Sequence, residues 1–296
     1  MNKTTASLSG LALLAAGTAH AQLSAYTPAR NQITVTPAYV FQTYDEFWMG
    51  DTKTKLTDNV IQNTGYLSLE YGILDDLALD VTVGYTRVAD TDAFAKDFGP
   101  NASDDGLTDT IFGLRYRVLD EQKATCPLMP TLTLRVGGII EGTYDANYPF
   151  SSGDGACGAE ASLLVGKQIC TGFGFYGGIG YRVRNQKVPD DLFASAGLYA
   201  SYRGFSGAFG YRHVQGLSGG NIGDSTGKEV FNPAGGPNAY GFPEVKEINQ
   251  LLEASVGYTD HGGRYYSVFG ARNVDGKNTG DKWLLGASIT VPINLK

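Results

Sequence analysis

Beyond its N-terminus this 296-residue chain has no apolar run approaching the ~18 consecutive residues that a membrane helix needs, which excludes a helical membrane protein. Cysteine is scarce: Cys126, Cys157 and Cys170 carry no CxxC or Cys/His spacing, which argues against a redox or metal site. Basic side chains are outnumbered, 23 against 30 acidic, so nucleic acid is a poor partner. Stretches with helical periodicity are few. What is abundant instead is glycine, 40 residues, with 18 tyrosines and 14 phenylalanines, a composition that fits a long all-β chain.

Residues 1–21 read as a secretory signal, from Lys3, the apolar run 8–17 and the small-residue site Ala19-His20-Ala21, with cleavage before Gln22. Residues 22–296 then form one domain. Three cysteines in an oxidising compartment leave at least one unpaired; Cys126 and Cys170 fall in connections at one end, where a bridge is geometrically conceivable, and plain free thiols are the alternative.

Along that domain, stretches of about ten residues place apolar side chains on every second position. In Leu77–Val88, Leu77, Leu79, Val81, Val83 and Tyr85 share one face, and Ala78, Asp80, Thr82, Gly84 and Thr86 the other. Twelve such strands are expected, near 32–41, 62–71, 77–88, 107–118, 131–143, 159–168, 173–184, 192–202, 205–214, 246–258, 264–273 and 282–291. The connections decide between a soluble sandwich and a membrane barrel. Those after odd-numbered strands are the longer ones (42–61, 89–106, 144–158, 185–191, 215–245, 274–281), and most of those after even-numbered strands are tight. Long outer loops facing short inner turns are the asymmetry of an antiparallel outer-membrane β-barrel, with both termini periplasmic. Tyr85, Tyr181 and Tyr211 near the outer ends, and Tyr71, Tyr202 and Tyr258 near the inner ends, supply two aromatic girdles. Pro37 removes a ladder donor and suggests a bulge in the first strand.

The segment Asp104-Asp105-Gly106-Leu107-Thr108-Asp109-Thr110, running into Gly113-Leu114-Arg115-Tyr116-Arg117-Val118-Leu119, resembles a stretch of the outer-membrane proteins grouped under the phenol meta-degradation label. Residues 131–142 and 177–184 are similar to the two strands that follow in that group, and the resemblance spans roughly residues 66–202. It implies a barrel that passes small organic solutes, with no catalytic residues and no cofactor.

Strand parity turns Arg115, Arg117, Arg135, Arg182, Arg184 and Arg212 into the lumen, with Glu70, Asp80, Asp109, Glu141, Glu160, Glu247 and Glu253. Near-balanced charge supports two readings: salt bridges bracing the wall, or opposed charges lining a narrow aqueous passage. Asp80 is expected about opposite Arg115, as a bracing pair. Arg182, Arg184 and Arg212, nearer the outer mouth and with fewer expected acidic neighbours, are candidates for solute contact. Twelve strands should leave a small pore unless something plugs it, and the loop 215–245 is the candidate to fold inward. The acidic loop with Asp90, Asp92, Asp97, Asp104 and Asp105 raises a calcium hypothesis, but its spacing is not that of an EF-hand.

Three function classes follow. The first is a passive channel for small solutes, embedded among outer-membrane lipid and lipopolysaccharide. The second is a non-conducting structural or adhesive barrel. The third is an outer-leaflet lipid hydrolase built on His213, which parity places outward at the rim; two positions on stands Gln215 rather than a nucleophile, and Ser218 is already in the loop. The channel is the favoured reading, without covalent chemistry.

Overall fold

A computed structural model describes residues 24–88, 104–146, 151–222, 230–231, 239–240 and 242–295. The signal segment 1–21 and Asp90, Asp92 and Asp97 of the acidic loop lie outside them. The strands are β1 (Gln32–Met49), β2 (Thr52–Leu74), β3 (Leu77–Val88), β4 (Asp104–Leu107), β5 (Thr110–Leu119), β6 (Thr131–Ile140), β7 (Gly158–Cys170), β8 (Phe173–Arg184), β9 (Asp191–Tyr202), β10 (Phe205–Gly216), β11 (Val230–Phe231), β12 (Ala239–Tyr240), β13 (Ile248–Thr259), β14 (Tyr265–Lys277) and β15 (Trp283–Asn294). Sequence neighbours pair antiparallel around the wall, and β15 closes on β1. β4 and β5 both pair with β3 and are two lengths of one wall strand, so the barrel has twelve positions, each at an expected place. β11 and β12 form a separate parallel pair.

Period-two alternation becomes an inside and an outside. In β3, Ala78, Asp80, Thr82, Thr86 and Val88 are buried while Leu79 and Tyr85 are exposed. An exposed apolar outer face around a closed strand wall is what lipid requires, since no backbone edge is left unpaired. Tyr85, Tyr181 and Tyr211 stand on that face near one rim, and Tyr202, Phe205 and Tyr258 near the other, where the Phe205 and Tyr258 rings pack at 4.9 Å between centroids.

Two expectations are corrected. The segment 42–61 is not a loop: β1 and β2 continue through it and turn at Gly50, whose φ of +58° suits glycine. The lipid-matched alternation fails there because this extension stands above the wall and buries Tyr44, Phe47, Leu56 and Val60 against other loops. Pro37 makes no bulge either. The β1–β2 register passes through it unbroken, and the β1–β15 register is the same on both sides of a gap at Thr36 and Pro37, where Thr36 Oγ1 bonds Thr290 Oγ1 at 3.0 Å.

The interior is filled at three levels. Residues from the N-terminal segment enter the end with the short turns: Thr133 Oγ1 donates to the Ala25 carbonyl at 2.6 Å, Tyr26 Oη donates to Glu121 at 2.8 Å, and the Tyr26 ring lies against Gly166. At mid-height Val40, Tyr66, Ile111, Ile139, Leu251, Phe269 and Leu284 form one buried apolar belt with members on opposite walls. Over the outer mouth the β1–β2 extension packs on Ile222 and Val245. Asn278 clamps this cap: its Oδ1 accepts from the Gly50 amide at 2.8 Å and the Ile222 amide at 3.0 Å, and its Nδ2 donates to the Lys246 carbonyl at 2.7 Å. The loop expected to fold inward therefore lends Ile222 and Val245 to the cap, the rest of its residues 223–241 lying largely outside the described set. Cys126, Cys157 and Cys170 are free and exposed.

Candidate functional site

Pairing across the wall lines up Glu70, Asp80, Gly113, Gly137, Glu160, Arg182 and Asp191 in one continuous row from β2 to β9. Because barrel strands tilt, a row in the hydrogen-bonding direction climbs the wall. This one rises from the short-turn half at Glu70 to the long-loop mouth at Asp191.

The two glycines leave a gap between carboxylates, and arginines from the neighbouring row fill it. Arg135, two residues before Gly137 on β6, lays its guanidinium over Gly113, where a Cβ would stand 2.7 Å from Cζ. From there Nη2 reaches Asp80 Oδ2 at 2.7 Å and Nη1 reaches Glu160. Arg115 bridges Glu70 at 2.8 Å and Asp80 at 3.4 Å. The expected Asp80–Arg115 pair therefore exists, but diagonally: the residue opposite Asp80 is Gly113, and opposite Arg115 stands Ala78.

At the outer end Arg182 meets Glu160 at 3.1 Å and Asp191 at 3.4 Å, and Arg184 pairs with Asp191 and Asp154. This corrects the expectation that Arg182 and Arg184 are poor in acidic neighbours. Asp191 opens β9 directly across from Arg182, and Asp154 comes down from the loop between β6 and β7; face-counting along strands reaches neither. Arg212 stands apart from the row and pairs with Glu253 at 2.6 Å.

The remaining sequence candidates sit at the ends. Arg117 belongs to the short-turn end, bound to Asp76 at 3.0 Å and Asp120 at 3.6 Å. Asp109 accepts from Tyr144 Oη at 2.5 Å and the Gly142 amide at 3.0 Å, tying the β6–β7 loop to the break between β4 and β5. Glu141 is exposed at the outer rim and accepts from Gln186. Glu247 accepts from Thr279 Oγ1 at 2.6 Å under the cap. Asp281, which the sequence did not single out, holds Lys53 at 2.6 Å and Arg272 at 2.7 Å and pins the extension to the β14–β15 connection. The Lys53 ammonium is held above the usual lysine range, chiefly by that hydrogen bond. Asp104 accepts from the Asp145 amide, and no group of three or more metal-ligating side chains gathers among the described residues. His213 contacts Gln215 at 3.3 Å.

Linked ion pairs of this kind can brace a wall and set a field inside it. Among the described residues His213 has the Gln215 amide as its hydrogen-bond neighbour.

No family model and no curated protein sequence matches the chain. Among solved structures, that of the COG4313 outer membrane channel from Pseudomonas putida F1 superposes with a TM-score of 0.65, covering 93% of this chain and 100% of that one at 14% identity. The translocator domain of autotransporter NalP from Neisseria meningitidis superposes with a TM-score of 0.46 at 9% identity, over 90% of each chain. LpxR from Salmonella typhimurium gives 0.46 at 11% identity, over 86% of this chain and 99% of that one. At such identities the first likeness is one of fold, that of a bacterial outer-membrane β-barrel.

Proposed function

We propose that the protein is a passive outer-membrane channel for small organic solutes, held closed in the conformation described. The observation that carries this reading is how the bore is shut. A twelve-position barrel is wider than the eight-strand barrels that side chains just fill. Here closure at the two ends is by parts that lie beyond the twelve-strand ring: an N-terminal segment below, and above it the β1–β2 extension packed on Ile222 and Val245. Parts beyond the ring can withdraw from it. The barrel that shares this fold at a TM-score of 0.65 is described as an outer membrane channel.

The same reading takes residues 1–21 as a cleaved secretory signal, leaves both termini in the periplasm, and assigns the chain to the phenol meta-degradation group on the residues 104–119. Outer-membrane lipid and lipopolysaccharide are its surroundings. It is not an enzyme in this reading, since His213 faces an amide rather than a hydroxyl. A non-conducting structural barrel is the second reading, favoured by the two carboxylates that each of Arg115, Arg135, Arg182 and Arg184 engages.

Single-channel recording of the refolded mature protein in a planar bilayer separates the two. The channel reading expects discrete steps that small organic solutes interrupt. A bilayer that stays silent, with the barrel shown inserted and folded, leaves the structural reading standing instead.

A further inference from the structure

We infer that the lumen holds a binding station for small organic carboxylates, formed by Arg212 and Tyr176 above a trough of small residues; the inference rests on the channel reading and names its solute class. The inward faces of β8, β9 and β10 carry Gly178, Gly180, Ser195, Gly197, Ala208 and Gly210; Leu164 lies over Gly178, Phe193 over Gly180 and Tyr176 over Gly197 and Gly210. Two register rows cross this arc. Gly178, Ser195 and Arg212 lie side by side, and Tyr176, Gly197, Gly210 and Glu253 lie side by side in the row below.

Tyr176 lies flat along its row. Its ring covers Gly197 and its hydroxyl ends over Gly210, so that a Cβ at either glycine would collide with it. That hydroxyl is buried and has no hydrogen-bond partner among the described residues. Arg212 is also under-used. Arg115, Arg135, Arg182 and Arg184 each engage two carboxylates, whereas Arg212 engages Glu253 alone among the described residues. Tyr176, Ser195 and Arg212 are half-buried, whereas Arg115, Arg135 and Arg182 are sealed.

The surplus at this place is therefore of donors. A guanidinium presents five N–H groups in a planar fork that suits a carboxylate, and the phenol adds an O–H. An amine would find Glu253 already occupied. Next to the polar pair stand Leu251, opposite Arg212, and Ala271, opposite Glu253, which offer an apolar edge to the body of the solute. A carboxylate head on Arg212 and Tyr176, with its carbon skeleton against Leu251, uses every unmatched group in the trough.

The test is calorimetric titration of the folded mature barrel in detergent with benzoate, benzyl alcohol and benzylamine, three probes of one size and different charge. Benzoate is expected to bind best. Tyr176→Phe, which keeps the ring on its glycine seat, should weaken benzoate by about three- to tenfold, and Arg212→Gln by about tenfold or more. Glu253→Gln should tighten it severalfold, because the competing carboxylate is gone; a purely structural pair would give no gain. Preference for benzylamine, benzoate affinity unmoved by Tyr176→Phe and Arg212→Gln in folded protein, or weakening by Glu253→Gln each overturns the station. Conductance is recorded separately. A barrel that conducts without binding benzoate refutes the station alone, and one that binds as expected yet never conducts refutes the channel reading alone.

Discussion

Gly113 and Gly137 are seats for a side chain that is not their own. A Cβ on Gly113 would stand 2.7 Å from Arg135 Cζ and Nη2, so Gly113→Val must lift the guanidinium away from Asp80 and Glu160. Overpacking together with a buried ion pair broken on one side destabilises by about 2–5 kcal/mol. Urea unfolding of the vesicle-inserted barrel should show that loss, whereas Gly65→Val, at a glycine with no atom within 4 Å of its added Cβ, should change stability little. Equal losses at the two sites would mean that the charge row contributes nothing particular. Alternation in the sequence shows which side of the wall each charge faces, and the inward arginines were legible from it. Of their partners, Asp80 for Arg115 was, and most of the others were not. Parity fixes a face, but the long connection between β3 and β4 hides the register, and a long arginine on a tilted wall reaches diagonally. Asp154 and Asp191 were missed for a related reason, since each belongs to a loop or a loop's end, where no alternation marks direction.

At the scale of elements, all twelve wall strands were legible, most of them as period-two stretches, because lipid outside and polar groups inside impose the pattern. The β1–β2 extension was not, since above the membrane nothing forces one face to be apolar throughout. It is held by few groups, of which Asn278 is central. Its φ of +52° is one that asparagine tolerates better than most residues, and its amide joins the β1–β2 turn, Ile222 and Lys246. Asn278→Ala removes these bonds at once and should loosen the cap by about 1–3 kcal/mol. Limited proteolysis at the Gly50 turn should accelerate accordingly while the wall stays resistant; an unchanged rate would show that the apolar packing of Tyr44, Phe47 and Ile222 suffices. The Lys53–Asp281 contact gives the cap a pH dependence of known sign. A lysine raised by folding contributes stability below its unfolded value, about 10.4, and loses it as pH rises through the folded value. Cap proteolysis should thus be flat through neutral pH and climb only in strong alkali, and Lys53→Met should remove the alkaline rise.

For the molecule as a whole, the N-terminal segment, the apolar belt and the cap lie one above another along a single bore. Obstructions in series add as resistances, so the tightest controls the current and relieving any other changes little. The belt is the tightest on chemical grounds, because a constriction of Val40, Ile111, Leu251 and Phe269 gives water no polar partner and resists wetting. Deleting residues 22–30 from the mature barrel should therefore raise single-channel conductance only modestly, whereas Ile111→Ser with Leu284→Ser in the intact chain should raise it more, up to the limit set by the obstructions that remain. The deletion combined with both serines should raise it beyond the product of the separate effects, up to the limit set by the cap. Such non-additivity is the signature of gates in series, just as additivity marks independent sites. If the deletion alone opened the barrel fully, the belt would be no barrier, and its seven buried side chains would be packing that leaves a water path beside them.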